Sequence, residues 1–184
     1  MPETRGAEDK HMRNILIVID MQNDFIDGSL GTPEAAAIVP AVKEKIRSYP
    51  PEDVFATLDT HGPDYLQTQE GLMLPVEHCI KGTFGWQLQP ELAELIREDK
   101  RFEKPTFGST DLAASVKRMS LEDELEIEII GLCTDICVIS NALMLKAFMP
   151  EVRISCDSAC CAGVTPEKHE AALETMRSCQ INVF

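Results

Sequence analysis

A thiol stands where a predicted buried strand gives way to a helix. The segment 125–130 is an apolar run, and the pattern from Cys137 to Phe148 is helical. Cys137 therefore falls at the predicted helix N-terminus, where unpaired N–H groups and the helix dipole favour a thiolate. The same N–H groups could hold an oxyanion formed on an attacked carbonyl group. The position suits a nucleophile, and it equally suits a small buried residue that only fills space.

Two charged residues could activate this thiol. Asp20 directly follows the apolar run 14–19, and a buried carboxylate can take a proton from a thiol. Lys104 could stabilise both the carboxylate and a thiolate if the three side chains met. The simpler alternatives are that Asp20 caps a turn and that Lys104 is a solvated surface charge.

Four further side chains have the chemistry of metal ligands. Asp59 and His61 form an Asp-x-His at the end of a second apolar run, and Glu70 and His78 lie in the loop that follows. Mixed carboxylate and imidazole ligands suit zinc, iron(II) or manganese. The spacing by itself is weak evidence, and ordinary polar loop residues are the alternative.

The elements that would position these residues alternate between strand and helix. Strands are predicted at 14–19, 53–58, 125–130, 152–156 and, as a last short strand, 180–183. Helices are predicted at 32–48, 86–99, 110–119, 137–148 and 165–178, while 104–109 has no defined type. This alternation predicts an α/β fold with a parallel sheet covered on both faces. In such a sheet, chemistry collects beyond the carboxyl ends of the strands. We therefore expect Asp20, Asp59, His61 and Cys137 at one edge.

The composition indicates one globular domain of 184 residues, with 44% hydrophobic and 26% charged residues. A formal net charge of -14 makes nucleic acid and anionic membranes poor partners. We expect residues 14–184 to form a single cysteine hydrolase domain. Residues 1–13 are polar, lack the apolar core of a signal peptide, and are expected to be flexible; whether they are native or cloning-derived is open.

The seven cysteines are an odd number without a compact framework, which favours free thiols and a reducing cytoplasm. Cys156, Cys160 and Cys161 could form a metal cluster, but their spacing favours small buried apolar residues instead.

Four motifs, taken in order, give the chain a family resemblance. They are IVIDMQNDF, LDTH followed by HCIKGTFG, EKPTFGST and GLCTDICV. Together they resemble the motifs of the isochorismatase-like cysteine hydrolases, and within that family the nicotinamidases. The match runs from about Ile15 to Val183, which is nearly the whole chain.

This resemblance implies a fold and a catalytic triad. The fold is a three-layer α/β/α sandwich with a mostly parallel central sheet, and the triad is Asp20, Lys104 and Cys137. A cis peptide bond is implied between Leu132 and Cys133, with the backbone N–H groups of Cys133 and Cys137 forming an oxyanion hole. Phe25 is implied to line the substrate pocket.

The resemblance also implies one divalent metal, with zinc expected and iron or manganese as alternatives. Asp59, His61 and His78 match ligands of the nicotinamidases directly. Many nicotinamidases have a further histidine shortly after the Asp-x-His, which this chain lacks. Some use a later glutamate, and Glu70 fits that variant.

The predicted substrate pocket departs from the family pattern at one place. Nicotinamidases often have an aromatic residue shortly before the last histidine, where this chain has Leu74. Trp86 or Phe84, just downstream, could replace it.

The function implied is hydrolysis of nicotinamide to nicotinate and ammonia through a thioester, within NAD salvage. Cys137 argues against isochorismatase activity, because isochorismatases proper lack this cysteine. The alternatives are hydrolysis of another small amide or carbamoyl amide, and a non-catalytic binding protein of the same fold. The expected partners are a small-molecule amide and, as in many family members, further copies of the chain in a homo-oligomer.

Overall fold

The computed structural model describes residues 11–184, which contain one six-stranded sheet. All strand pairs in it are parallel. The strands are β1 (Met12–Ile19), β2 (Val54–Asp59), β3 (Arg101–Lys104), β4 (Glu124–Leu132), β5 (Arg153–Ala162) and β6 (Asn182–Val183). Their order across the sheet is β3-β2-β1-β4-β5-β6. Most of the predicted N-terminal segment lies outside the described residues, and its end, Met12 and Arg13, begins β1.

The centre of the sheet is its most deeply buried part. Residues 15–19 of β1 have no solvent exposure, and this strand pairs with β4 along its whole length. A continuous apolar run is expected for a strand that is covered on both faces.

Helices cover the sheet on both sides. They are α1 (Asn23–Ile26), α2 (Pro33–Arg47), α3 (Gln69–Met73), α4 (Pro90–Ala93), α5 (Thr110–Glu122), α6 (Ile139–Phe148) and α7 (Pro166–Ser178). Helix α2 packs against α1 and α4, whereas α6 packs against α5 and α7. Since the strand order reverses beside β1, right-handed crossovers place these two groups on opposite faces. The three-layer prediction is confirmed.

The caps of the long helices follow from local sequence. The side chains of Thr32, Ser109 and Thr165 each accept a hydrogen bond from a backbone N–H in the first turn of α2, α5 and α7. Proline at the first position of α2 and α7 suits those helix starts.

The predicted helix 86–99 is wrong. Only Pro90–Ala93 is α-helical there, and Glu98–Lys100 forms a separate 3₁₀ turn. Leu88 is buried as predicted, but its backbone pairs with Gln22 in an isolated antiparallel bridge, which a helix would not allow. The edge strand β3 was not predicted, and β5 continues six residues beyond the predicted end at Cys156.

Among the described residues, no helix is both long enough and apolar enough to span a bilayer.

Candidate active site and metal centre

Four strand ends bring the candidate site together at one edge of the sheet. Asp20 directly follows β1, Asp59 ends β2, Lys104 ends β3, and Cys133 directly follows β4. These strands are neighbours in the sheet, so residues far apart in the chain meet beyond their carboxyl ends.

Lys104 lies at the centre of this site and has about 1% solvent exposure. Its Nζ is 2.7 Å from Oδ2 of Asp20, 3.2 Å from Oδ1 of Asp59 and 3.5 Å from Sγ of Cys137. Burial opposes the charge of Lys104, but Asp20, Cys137 and Asp59 outweigh it and raise its pKa. The surface-charge alternative for Lys104 is therefore excluded.

Asp20 is fully buried and is held from two sides. Its Oδ1 accepts a hydrogen bond of 2.6 Å from the Thr57 hydroxyl, while Oδ2 faces the Lys104 ammonium. Burial raises the pKa of Asp20, and the Lys104 charge acts in the opposite direction. A carboxylate with a raised pKa beside a thiol is suited to accept and return a proton.

Cys137 lies in a π-helical turn, Thr134–Val138, that leads directly into α6. Burial, followed by the charge of Asp20, raises the pKa of its thiol well above the ordinary value. The helix N-terminus favours a thiolate, whereas burial and the charge of Asp20 oppose it. A base that accepts the thiol proton, such as Asp20, would therefore assist an attack by Cys137.

The turn before Cys137 contains the implied cis bond. The peptide between Leu132 and Cys133 is cis, as the resemblance predicted. The Cys133 carbonyl accepts hydrogen bonds from the N–H groups of Ile136 and Val138, at 3.0 and 3.1 Å, which fixes the turn around Cys137. An oxyanion hole formed by the Cys133 and Cys137 amides stays a prediction.

The predicted metal ligands form one group. One ligand atom each of Asp59, His61, Glu70 and His78 lies within 4.8 Å of the others. Oδ2 of Asp59 is 2.9 Å from Nε2 of His61 and 3.5 Å from Nε2 of His78. Oε1 of Glu70 is 3.8 and 3.7 Å from the same two nitrogens. Two nitrogens and two carboxylate oxygens converging in this way fit a divalent metal such as zinc, iron or manganese.

The surroundings of His78 leave its Nε2 free to act as a ligand. Its Nδ1 is 2.8 Å from the carbonyl oxygen of Val76, so an Nδ1–H tautomer directs Nε2 toward the other three candidates. The rings of His61 and His78 are 4.9 Å apart, and the Tyr65 ring packs on both at 4.7 and 4.9 Å.

A cavity of about 280 Å³ opens onto the thiol and the metal group. Phe25 and Leu74 line it, as predicted, together with Cys133, Cys137, Asp59, Glu70, His78, Leu30, Thr32, Phe107, Ile136, Val164 and Lys168. Its walls are mostly apolar, with the reactive groups at one end, which suits a small, largely apolar substrate.

Trp86, expected to bind the substrate, lies away from this cavity. It is not among the residues lining this cavity; its indole N–H donates to the Thr60 hydroxyl at 2.9 Å, and its carbonyl accepts from the Gln22 amide at 2.7 Å. Phe84, the other aromatic considered, is 66% exposed and also lies outside the cavity lining. Phe107 supplies an aromatic side chain to the cavity.

Sequence reasoning missed three contributors to this site. Asn141 donates to the carbonyls of Cys137 and Phe107, at 2.8 and 3.1 Å, and so connects the Cys137 turn to the segment after Lys104. Thr57, in the middle of an apolar strand, binds Asp20. Phe107 lies three residues after Lys104, and this nearness in sequence could have indicated that it contacts the cavity.

All seven cysteines are free. Cys156, Cys160 and Cys161 are buried in β5, with the sulfur atoms of Cys156 and Cys161 3.7 Å apart. The prediction of small buried core residues is confirmed for these three.

The sequence and the fold of this chain are similar to those of known proteins. The family model described as "Isochorismatase domain" matches residues 14–184. A Bacillus subtilis (strain 168) protein described as the uncharacterized isochorismatase family protein PncA is 31% identical over 178 residues, covering 88% of this chain and 93% of that protein. The nicotinamidase/pyrazinamidase of Mycobacterium tuberculosis is 27% identical over 184 residues, covering 91% of this chain and 96% of that protein. The crystal structure of the Pyrococcus horikoshii pyrazinamidase in complex with zinc matches with a TM-score of 0.75 and 26% identity, over 93% of this chain and 98% of that one.

Proposed function

The chain belongs to the isochorismatase family, and from this premise we propose that it is a metal-containing cysteine amidohydrolase that converts nicotinamide to nicotinate and ammonia. The observation that carries the proposal is the position of Lys104. Its Nζ contacts Asp20, Cys137 and Asp59 at once, so a nucleophile, a base and a candidate metal ligand meet beside one cavity. Relatives named nicotinamidase/pyrazinamidase support the choice of substrate.

The first half of the reaction forms a thioester. Asp20 removes the proton of the neutral Cys137 thiol as Sγ bonds to the amide carbon, and the carbonyl electrons move onto oxygen. The N–H groups of Cys133 and Cys137 hold that oxyanion. The carbon–nitrogen bond then breaks, and Asp20 returns its proton to the departing ammonia.

The second half of the reaction hydrolyses the thioester. Asp20 takes a proton from a water molecule, which attacks the acyl carbon, and Cys137 leaves as the sulfur–carbon bond breaks. Lys104 remains charged throughout and balances the negative charge shared by Asp20 and Cys137. Asp20 then returns its proton to the departing sulfur, which restores the thiol, and the acid product leaves as nicotinate after losing its own proton to solvent.

Asp59, His61, Glu70 and His78 would hold the divalent metal. When bound, the metal supplies a Lewis acid that can take up the ring nitrogen of nicotinamide and so orient the amide toward Cys137. Phe25 and Phe107 then offer apolar surface to the ring, since both line the same cavity.

One observation favours a second candidate, hydrolysis of a non-aromatic carbamoyl amide. Leu74 lines the cavity where nicotinamidases often have an aromatic residue, so the pocket could suit a substrate without a ring. This candidate has the same triad chemistry and differs only in the substrate.

The test is to measure release of ammonia and acid from a panel of amides by metal-loaded protein, with Cys137→Ala as control. We expect nicotinamide to be turned over with the highest kcat/KM and the control to lose at least about 100-fold in kcat. Faster turnover of carbamoyl amides would favour the second candidate. Equal activity in the control would contradict the nucleophile.

We also propose a place and context for the enzyme. Seven free thiols suit a reducing cytoplasm, and release of nicotinate from nicotinamide suits NAD salvage. A homo-oligomer in solution is expected, and size-exclusion chromatography with light scattering tests it.

A further inference from the structure

A hydrogen bond joins α7 to the turn that carries the nucleophile. Oγ1 of Thr134 is 2.7 Å from Nδ1 of His169, near the start of α7. Thr134 has no solvent exposure and stands directly after Cys133, whose amide belongs to the proposed oxyanion hole. The mechanism described above does not use His169.

The same helix end holds the turn at a second point. The helix packs against the segment Thr134–Val138, and Oδ1 of Asp135 accepts a hydrogen bond of 2.9 Å from the N–H of Val164, just before α7. Two consecutive residues of the turn, Thr134 and Asp135, are thus anchored from one side.

We propose that His169 is a positioning residue for the oxyanion hole. Through Thr134 it restrains the backbone on the C-terminal side of Cys133, and this restraint keeps the Cys133 N–H, which belongs to the preceding peptide, aligned. This inference rests on the proposed role of Cys137. It adds that α7, which contributes no group to the triad, sets the efficiency of acyl transfer.

The chemistry separates this role from simple packing. When Cys137 attacks a carbonyl carbon, electrons move onto oxygen and an oxyanion needs aligned donors. When Cys137 displaces iodide from iodoacetamide, the sulfur–carbon bond forms at a saturated carbon and no oxyanion appears. A misaligned amide should therefore slow acylation and leave alkylation unchanged, whereas general loosening of the turn should alter both.

Two substitutions provide a matched pair. The side-chain amide of Asn can occupy the place of Nδ1, the ring atom that contacts Thr134, whereas the amide of Gln reaches the place of the outer nitrogen, Nε2. Both are neutral and polar. His169→Asn should keep the hydrogen bond to Thr134, and His169→Gln should lose it.

The experiment measures both reactions at Cys137 by intact-protein mass spectrometry. The reagents are iodoacetamide and a small activated ester, para-nitrophenyl acetate, with Cys137→Ala as the blank for the other six thiols. We expect H169Q to lower the acylation rate about tenfold or more and to change alkylation less than about twofold. H169N should stay within about threefold of the wild type in both. Steady-state turnover of nicotinamide should show the same loss in kcat with little change in KM.

Other outcomes overturn the proposal. Equal losses of acylation and alkylation in H169Q, or an H169N variant as impaired as H169Q, would make His169 a packing residue only. A wild type whose Cys137 is not acylated would overturn both this role and the proposed nucleophile. A wild type that is acylated with the expected variant pattern but leaves nicotinamide unchanged would support His169 and contradict only the proposed substrate.

Discussion

At the scale of single residues, the positive charge of Lys104 compensates the buried negative charges of the site. Its ammonium lies between Asp20 and Asp59, so it balances two buried carboxylates that would otherwise repel each other. Removing one partner of a buried ion pair leaves an uncompensated charge, which is far more costly than losing an exposed pair.

Because Lys104 is the buried partner of both carboxylates, Lys104→Met should lose both stability and activity. We expect the free energy of unfolding to fall by about 3–5 kcal/mol, because two carboxylates lose their buried partner. Amide turnover should fall by at least about 100-fold, because the charge facing the Asp20–Cys137 pair disappears. Urea unfolding and initial rates measure the two effects.

Lys81→Met is the matched control. Lys81 pairs with Glu103 at 2.5 Å, but both side chains are exposed, so the pair should contribute less than about 1 kcal/mol. If the two variants lost equal stability, the account of a buried charge centre would be wrong.

How far the sequence predicted this site depends on where each residue stands. Asp20 and Asp59 could be found because each ends a continuous apolar run, which marks a buried strand and hence the active edge. Asn141 carries no such signal: it stands inside a helix and acts through contacts that only the folded chain creates. Trp86 is near the metal loop in sequence but does not line the cavity, because nearness in sequence does not fix where a side chain lies.

At the scale of elements, the close approach of β1 and β4 limits which residues can stand at the site edge. Gly131 has a backbone φ of +120°, which residues with a side chain rarely adopt. A Cβ atom at this position would lie 2.1 Å from the carbonyl oxygen of Ile19. This contact between the two strands brings Asp20 and the Cys133 turn together.

Gly131→Ala should therefore lower the free energy of unfolding by more than the strain of a positive φ alone, because the new Cβ would also clash with Ile19. Gly82→Ala is the matched control, because Gly82 also has a positive φ, +88°, but a Cβ added there would meet no atom within 4 Å. We expect about 1–3 kcal/mol for G82A and a clearly larger loss for G131A, measured by chemical unfolding. If G131A and G82A lost equal stability, β1 would be able to move away from the new Cβ at no cost in free energy, and the prediction would be wrong.

A second contact between elements predicts a pH dependence. Lys45 of α2 lies 2.7 Å from Glu128 of β4 and 2.8 Å from Asp157 of β5. Burial opposes its charge, but hydrogen bonds to Asp157 and Glu128 outweigh this and raise its pKa. A lysine with a raised folded-state pKa contributes stability that is complete below its unfolded pKa of about 10.4 and is lost as pH rises further.

Lys45→Met should therefore flatten the decline of stability above about pH 10. Lys43→Met, on the same helix and paired with Glu91, should keep the decline of the wild type. Thermal unfolding from about pH 8 to about pH 11 measures the curves on both sides of the unfolded-state pKa. A K45M curve parallel to that of the wild type would contradict this assignment.

The long elements were predictable and the short ones were not. The predicted helix at 110–119 lies inside α5, and 165–178 matches α7 with its Thr165 cap, because apolar periodicity and capping residues agree. The segment 86–99 has inward-facing leucines, but Pro90 and the bridge between Gln22 and Leu88 divide it. Strand β3 has only four residues at an edge, too few to show a pattern.

At the scale of the whole molecule, the candidate metal group should couple ligand binding to folding. Its four residues are brought together only in the folded chain, so metal bound there stabilises the folded state by mass action. Manganese is the better probe of this coupling, because zinc would also bind the seven thiols of the unfolded chain.

We expect manganese at about 100 times its Kd to stabilise the protein by about 2.7 kcal/mol, which raises Tm by about 5–10 °C. Glu70→Gln should lose most of this increase at the same metal concentration. Glu77→Gln, which changes an exposed glutamate in the segment that follows α3, should retain it. An E70Q variant that responds like the wild type would remove Glu70 from the ligand set.

Rapid-quench mass spectrometry of the metal-loaded protein during turnover of nicotinamide shows whether Cys137 carries the acyl group. We expect a transient nicotinoyl adduct on Cys137 that forms and decays at rates consistent with kcat, and no adduct and no nicotinate with Cys137→Ala. Nicotinate formed by the C137A variant at the rate of the wild type would contradict a cysteine hydrolase mechanism.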